Sequence, residues 1–117
     1  MSTHVSAVHK FGGTSLAGVP EFRRVAAILA GLETNPAVAV VSAPAGVTDA
    51  LHALVQAAEQ RDDWPVALAS IVARCAGLAS ELLAGERQAE WLAALERDRA
   101  DLHDVLKATA LIGRAPP

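Results

Sequence analysis

Val8-His9-Lys10-Phe11-Gly12-Gly13-Thr14-Ser15 is the stretch on which the reading of this chain turns. Residues 5–9, Val-Ser-Ala-Val-His, have the character of a short strand, and the paired glycines at 12 and 13 end it abruptly. Downstream, Pro20 suits a first helical turn, and Phe22, Val25, Ala26, Leu29 and Leu32 recur at steps of three and four. That spacing predicts one apolar helical face, with a stop near Thr34-Asn35-Pro36.

The same order then repeats. Ala37-Val38-Ala39-Val40-Val41 is a continuous apolar run of strand length, as expected for a parallel strand covered on both faces. It breaks at Ser42-Ala43-Pro44-Ala45-Gly46, after which Thr48 is placed to cap a helix over about 48–60. The apolar face of that helix would hold Leu51, Leu54, Val55 and Ala58. The first sixty residues thus read β-loop-α-β-loop-α, an α/β pattern.

The remainder is helical in texture. Helices are predicted from about Pro65 to Leu83 and from about Glu86 to Leu111, parted by Ala84-Gly85. Leu92, Leu95, Leu102 and Leu106 line a seam on the second, and Arg97 with Asp101 makes a candidate i,i+4 pair on its outer face. The expected organisation is a site-bearing half over 1–60 and a helical half over 61–113. Two parallel strands are only a piece of a sheet, so 1–117 is expected to be part of a larger domain, with residues 113–117 a loop leading onward.

Composition excludes several classes. The 117 residues are 52% hydrophobic but only 3% aromatic, so side chains are small and the area buried per residue is modest. A net charge of -3, with acids and bases mixed along the chain, argues against a nucleic-acid partner. The single cysteine, Cys75, leaves no internal disulfide, and no apolar run of membrane-spanning length or charged leader is evident. A cytosolic setting without membrane attachment is the expectation.

The chemistry falls in the two strand-end loops. In the first, a lysine is followed by two glycines and two hydroxyl residues, a phosphate-binding composition. The backbone N–H groups of Gly12 and Gly13 can approach phosphate oxygens, Lys10 supplies a point charge, and Thr14 and Ser15 supply further donors. It is neither a Walker A loop, where lysine follows the glycines, nor G-x-G-x-x-G, because Gly12, Gly13 and Gly18 have the wrong spacing. The bland alternative is an ordinary Gly-Gly turn beside a solvated lysine. Parallel strands bring the second loop out at the same edge, where ligands of open α/β sheets bind. Ser42 and Thr48 would offer hydroxyls there, although a turn serine and a helix cap account for them equally simply.

Together the two loops resemble the aspartokinases of the amino acid kinase family. Residues 8–15 are similar to the family's K-F-G-G-T-S segment, and Val40-Val41-Ser42-Ala43-Pro44-Ala45-Gly46-Val47-Thr48 to its V-V-S-A-x-x-G-x-T segment. The resemblance implies an α/β/α sandwich with a mainly parallel sheet, of which this chain is the N-terminal part, followed by a helical segment. It implies transfer of the γ-phosphoryl group of ATP, as its Mg²⁺ complex, to the β-carboxylate of L-aspartate, at the head of lysine, threonine and methionine synthesis. Lys10 would then be catalytic, contacting the transferring phosphate; Lys10, Phe11, Gly12, Gly13, Thr14 and Ser15 would form the ATP-phosphate loop. Ser42 and Thr48 would line the aspartate pocket. A homo-oligomer, dimer or higher, is also implied, while Asp49 stands where many relatives have asparagine. The rival expectation is a non-catalytic relative that binds a phosphorylated ligand or another subunit.

Other candidates read as structure. His9 is expected on a strand face, His52 and His103 fall in separate helices without metal-ligand spacing, and Cys75 is expected to pack as a small hydrophobe. Asp62-Asp63 reads as a helix start or loop, so no protein-held metal is expected.

Overall fold

The computed structural model describes residues 7–32 and 37–117. The chain runs β1 (Ala7–Phe11), a 3-10 turn (Gly13–Leu16), α1 (Val19–Ala30), β2 (Ala37–Val41), α2 (Val47–Glu59), α3 (Trp64–Leu82) and α4 (Gly85–Ile112). It divides into two compact units, Met1–Gly46 and Val47–Pro117.

In the first unit β1 and β2 pair in parallel, in register from Ala7 against Ala37 to Phe11 against Val41. Alternation along β1 leaves Ala7, His9 and Phe11 half-buried and turns Val8 and Lys10 outward. Leu16 and Val25 are the buried hydrophobes of this unit. On β2, Val38, Val40 and Val41 are all exposed. Of the strand predicted at 5–9, residues 7–9 lie in β1, which runs on to Phe11; residues 5 and 6 lie outside the described residues. Of the face foreseen on α1, Val25 is buried, Phe22 and Leu29 are half-buried, Ala26 is exposed, and Leu32 lies past the helix end. The helix stops at Ala30; the predicted stop at Thr34-Asn35-Pro36 lies outside the described residues. The Gly31 N–H closes the last turn on the Ala27 carbonyl at 3.0 Å, and the Leu32 N–H donates to the Leu29 carbonyl at 3.4 Å.

The second unit is a three-helix arrangement in which α2, α3 and α4 each touch the other two. Its core is Leu54, Ala58, Trp64, Leu68 and Leu106, flanked by Ala57, Ala67, Ile71, Val72 and Ala110. Small alanines let the helices approach closely, and the larger side chains fill the centre. Of the α2 face read from sequence, Leu54 and Ala58 are buried, whereas Leu51 and Val55 are exposed. On α4, Leu106 is buried, Leu92 and Leu95 are half-buried, and Leu102 is exposed. The unit begins at Val47, so α2 groups with the two later helices rather than with residues 1–46.

Local polar contacts set the helix ends. Gly85, at φ 60, turns the chain between α3 and α4, and the Gln88 side chain donates to the Ser80 and Leu83 carbonyls at 3.0 and 2.7 Å. Those carbonyls would otherwise lack partners at the end of α3. The outer-face ion pair of α4 is not Arg97–Asp101; among the described residues Arg99 pairs instead with Glu96, one turn back, through bonds of 2.6 and 2.8 Å. That hydrogen bond, helped by the guanidinium charge and only partly opposed by desolvation, holds the Glu96 carboxyl below its ordinary range and raises Arg99. By length and composition alone the α3 helix is long and apolar enough to cross a membrane, although it carries Arg74 and Glu81, and Trp64, Leu68 and Ala79 on it are buried inside the protein.

Candidate functional site

The end of β1 feeds directly into the glycine loop. Lys10 is exposed on the outward face of the strand and Phe11 half-buried on the other; Gly12 then adopts φ -78, ψ 178 and starts the 3-10 turn. The first turn bond runs from the Ser15 N–H to the Gly12 carbonyl at 3.1 Å, so the N–H groups of Gly13 and Thr14 precede it without an acceptor in the turn. The Thr14 and Ser15 side chains are exposed, and the turn is anchored by Leu16, 2% exposed.

The second loop lies against the first. The Ser42 N–H donates to the Phe11 carbonyl at 3.1 Å, and the Ala45 N–H to the Leu16 carbonyl at 3.3 Å. A Cβ added to Gly13 would meet Ser42 Oγ at 3.8 Å and Ala45 Cα at 3.9 Å, ordinary contact distances. Gly12 is different: an added Cβ would meet nothing within 4 Å, and its φ is open to any residue. Neither backbone conformation nor internal packing therefore demands glycine at position 12.

Among the described residues, the side chains of Lys10, Thr14, Ser15 and Ser42 make no hydrogen bond or ion pair within the chain. A cation, three hydroxyls and two free N–H groups are thus gathered at one strand edge and left uncommitted. Together they can meet an anion with several oxygens, because each oxygen finds a donor and the net charge of the loop side chains is positive. The structure thereby brings together Lys10, Phe11, Gly12, Gly13, Thr14, Ser15 and Ser42.

Thr48 belongs to the second unit. It is the second residue of α2 rather than its cap, because the helix already begins at Val47; Gly46, at φ 82, makes the turn before it. Its side chain is exposed, as is that of Asp49, whose carboxylate complements the positive end of the helix. Sequence reasoning overlooked Leu16 and the backbone of Ala45, which tie the loops together. An isolated leucine after four polar or glycine residues was the signal available.

His9 is half-buried on the strand face opposite Lys10, and its Nε2 is enclosed without a hydrogen-bond partner. His52 is exposed, and His103 stacks at a tilt on Trp64 with ring centroids 5.1 Å apart. Cys75 is a free, partly buried thiol.

A parallel strand pair whose carboxyl ends carry two adjoining loops, one of them a lysine-bearing glycine turn, defines an α/β domain of the kind that binds ligands beyond its strand ends. Comparison with known proteins names the family. The sequence model of the amino acid kinase family matches residues 6–110, and this chain belongs to that family. It is 38% identical over 109 residues to a chloroplastic bifunctional aspartokinase/homoserine dehydrogenase 2 of Zea mays, a match covering 92% of this chain and 12% of that protein. It is 36% identical over 110 residues to a chloroplastic bifunctional aspartokinase/homoserine dehydrogenase 1 of Arabidopsis thaliana, covering 93% and 12%. The chain therefore spans about 12% of the length of these relatives.

Proposed function

We propose that this chain supplies the phosphate loop and part of the aspartate pocket of an aspartate kinase, which transfers the γ-phosphoryl group of ATP to the β-carboxylate of L-aspartate. The observation that carries the reading is the pair of tied strand-end loops, with Lys10, Thr14, Ser15 and Ser42 uncommitted and Gly12 opening onto empty space. The identity to aspartokinase-containing relatives supports the choice of acceptor.

In this reading the attacking nucleophile is a β-carboxylate oxygen of aspartate and the leaving group is ADP. The P–O bond to the β,γ-bridging oxygen breaks as the bond to the carboxylate oxygen forms, and no covalent enzyme intermediate is needed. Charge spreads over the γ-phosphoryl oxygens, and Lys10 stands to offset it, with the N–H groups of Gly13 and Thr14 as fixed donors. A carboxylate needs no general base at neutral pH, so His9, on the opposite strand face, has no part in the chemistry. The Ser42 and Thr48 hydroxyls would orient aspartate. Mg²⁺ arrives with ATP, held by its phosphates. The site is proposed to work in the cytosol, in a homo-oligomer whose catalytic unit includes sequence beyond these 117 residues.

The test is aspartate-dependent ADP release, with hydroxylamine trapping of the acyl phosphate, on the 117-residue chain and on the full product of its gene. Trapped aspartyl hydroxamate from the longer protein supports the reading. Absence of turnover from both, with a full-length kinase subunit co-purifying, would favour a non-catalytic binding module instead.

A further inference from the structure

Two side chains, Glu59 at the end of α2 and Arg61 in the turn after it, reach across to the end of α4. Glu59 Oε2 accepts a hydrogen bond from the Ala115 N–H at 3.0 Å, and Arg61 Nη2 donates to the Leu111 carbonyl at 3.5 Å. Both bonds join this short stretch to one backbone segment lying 50 or more positions away. The turn is itself unusual. Arg61 has φ 59, a left-handed conformation that costs free energy for any residue with a Cβ, and it is the one such non-glycine among the described residues.

The α4 end does not need the arginine merely to be capped. Gly113, at φ 86, already closes the helix by donating its N–H to the Thr109 carbonyl at 2.7 Å. A side chain at Gly113 would be strained by that φ and would also meet Arg61 Nη2 at 3.3 Å, so the guanidinium lies directly over the reversal. Beyond it the chain doubles back. Arg114, Ala115, Pro116 and Pro117 line one groove of about 630 Å³ together with Val105 and Ile112 of α4.

We propose that the end of α2 and the turn after it form a clasp: the Glu59 carboxylate and the Arg61 guanidinium grip the backbone at the end of α4 and hold residues 113–117 back along that helix. The strained backbone of Arg61 is offset by the grip, and the groove beside Val105 and Ile112 persists only while the clasp is shut. Because α2 also carries Thr48 at its other end, the clasp joins the path of the chain after α4 to the helix bearing that residue. The clasp itself does not depend on the proposed kinase reaction, and its test reads no activity.

The experiment is amide hydrogen exchange, followed by NMR on the 117-residue chain, at Gly113 and Ala115 in the wild type, Glu59→Ala and Arg61→Gly. Glu59→Ala should speed exchange at Ala115 about tenfold, as expected for loss of one hydrogen bond, while Gly113 stays protected by Thr109. Arg61→Gly suits the left-handed backbone better than arginine does. It should therefore release Ala115 several-fold while the thermal midpoint stays level or rises. Unchanged exchange at Ala115 in Glu59→Ala would overturn the clasp. So would a lowered midpoint in Arg61→Gly with Gly113 and Ala115 released together, since that would make Arg61 a general support of the fold.

Discussion

Replacing Gly12 with alanine separates folding from ligand binding within one methyl group. At φ -78 and ψ 178, with nothing within 4 Å of the new Cβ, the folded chain accommodates alanine without strain. The unfolded chain loses freedom, so the first unit should gain about 0.4–1 kcal/mol. Bound phosphate changes the sign. The methyl group would occupy the space through which phosphate oxygens approach the loop N–H groups, and losing one charge-assisted hydrogen bond costs about 1.5–3 kcal/mol. At about 1.4 kcal/mol per decade, the affinity for Mg-ATP should fall by roughly tenfold to a hundredfold. Calorimetric titration of the full-length product with Mg-ATP, alongside urea unfolding of the 117-residue chain, reads both effects. Unchanged affinity, or a fold weakened by more than about 1 kcal/mol, would refute the argument that Gly12 is kept open for a ligand.

Other perturbations probe the remaining claims. Lys10→Ala in the full-length product should lower kcat by about a hundredfold to a thousandfold with the fold intact, because the side chain is exposed and makes no internal bond; circular dichroism with the ADP-release assay checks this. Leu54→Ala removes the most deeply buried leucine, 1% exposed, and should cost about 2.7–5 kcal/mol in denaturant unfolding of the helical unit. Val66→Ala on the same unit, 64% exposed, should stay within about 0.5 kcal/mol. The Glu96 carboxyl should titrate below its ordinary value of 4.5, and Arg99→Ala or high salt should move the NMR midpoint upward. Because the folded pKa is the lower one, the pair's small contribution is present above the unfolded value and fades as pH falls through the folded one.

Much of the fold was legible where local chemistry dominates. The Gly-Gly break after β1, the unbroken apolar run of β2 and the Ala84-Gly85 interruption each leave their mark within a few residues, and the strands and helices fall where those marks put them. The α1 helix ends at Ala30 with Gly31 in an ordinary right-handed conformation, a boundary that residue type alone does not mark. Thr48 was read as a cap because its residue type fits. The left-handed Gly46 instead starts the helix one residue earlier. The choice of Arg99 and Glu96 over Arg97 and Asp101 depends on rotamers along a crowded charged face, which spacing alone does not rank. In the candidate site, the loop residues were visible as a composition. Their mutual anchoring through Leu16 and Ala45 was not, because a backbone hydrogen bond between loops far apart in sequence leaves no mark on residue type. The same holds for Glu59 and Arg61.

The three-helix core also bears on the order of folding. Most of its contacts, those of α2 with α3 and of α3 with α4, join helices that follow one another along the chain, and only the α2–α4 contacts span a longer stretch, whereas the sheet can form only when Ala7 finds Ala37 and two short strands align without a turn to guide them. Sequence-local contacts form quickly, and parallel pairing must first close a long loop. The helical unit is therefore expected to be protected first on refolding, with β1 and β2 following. Pulse-labelled hydrogen exchange would show it, and early protection of the strands would reverse the order.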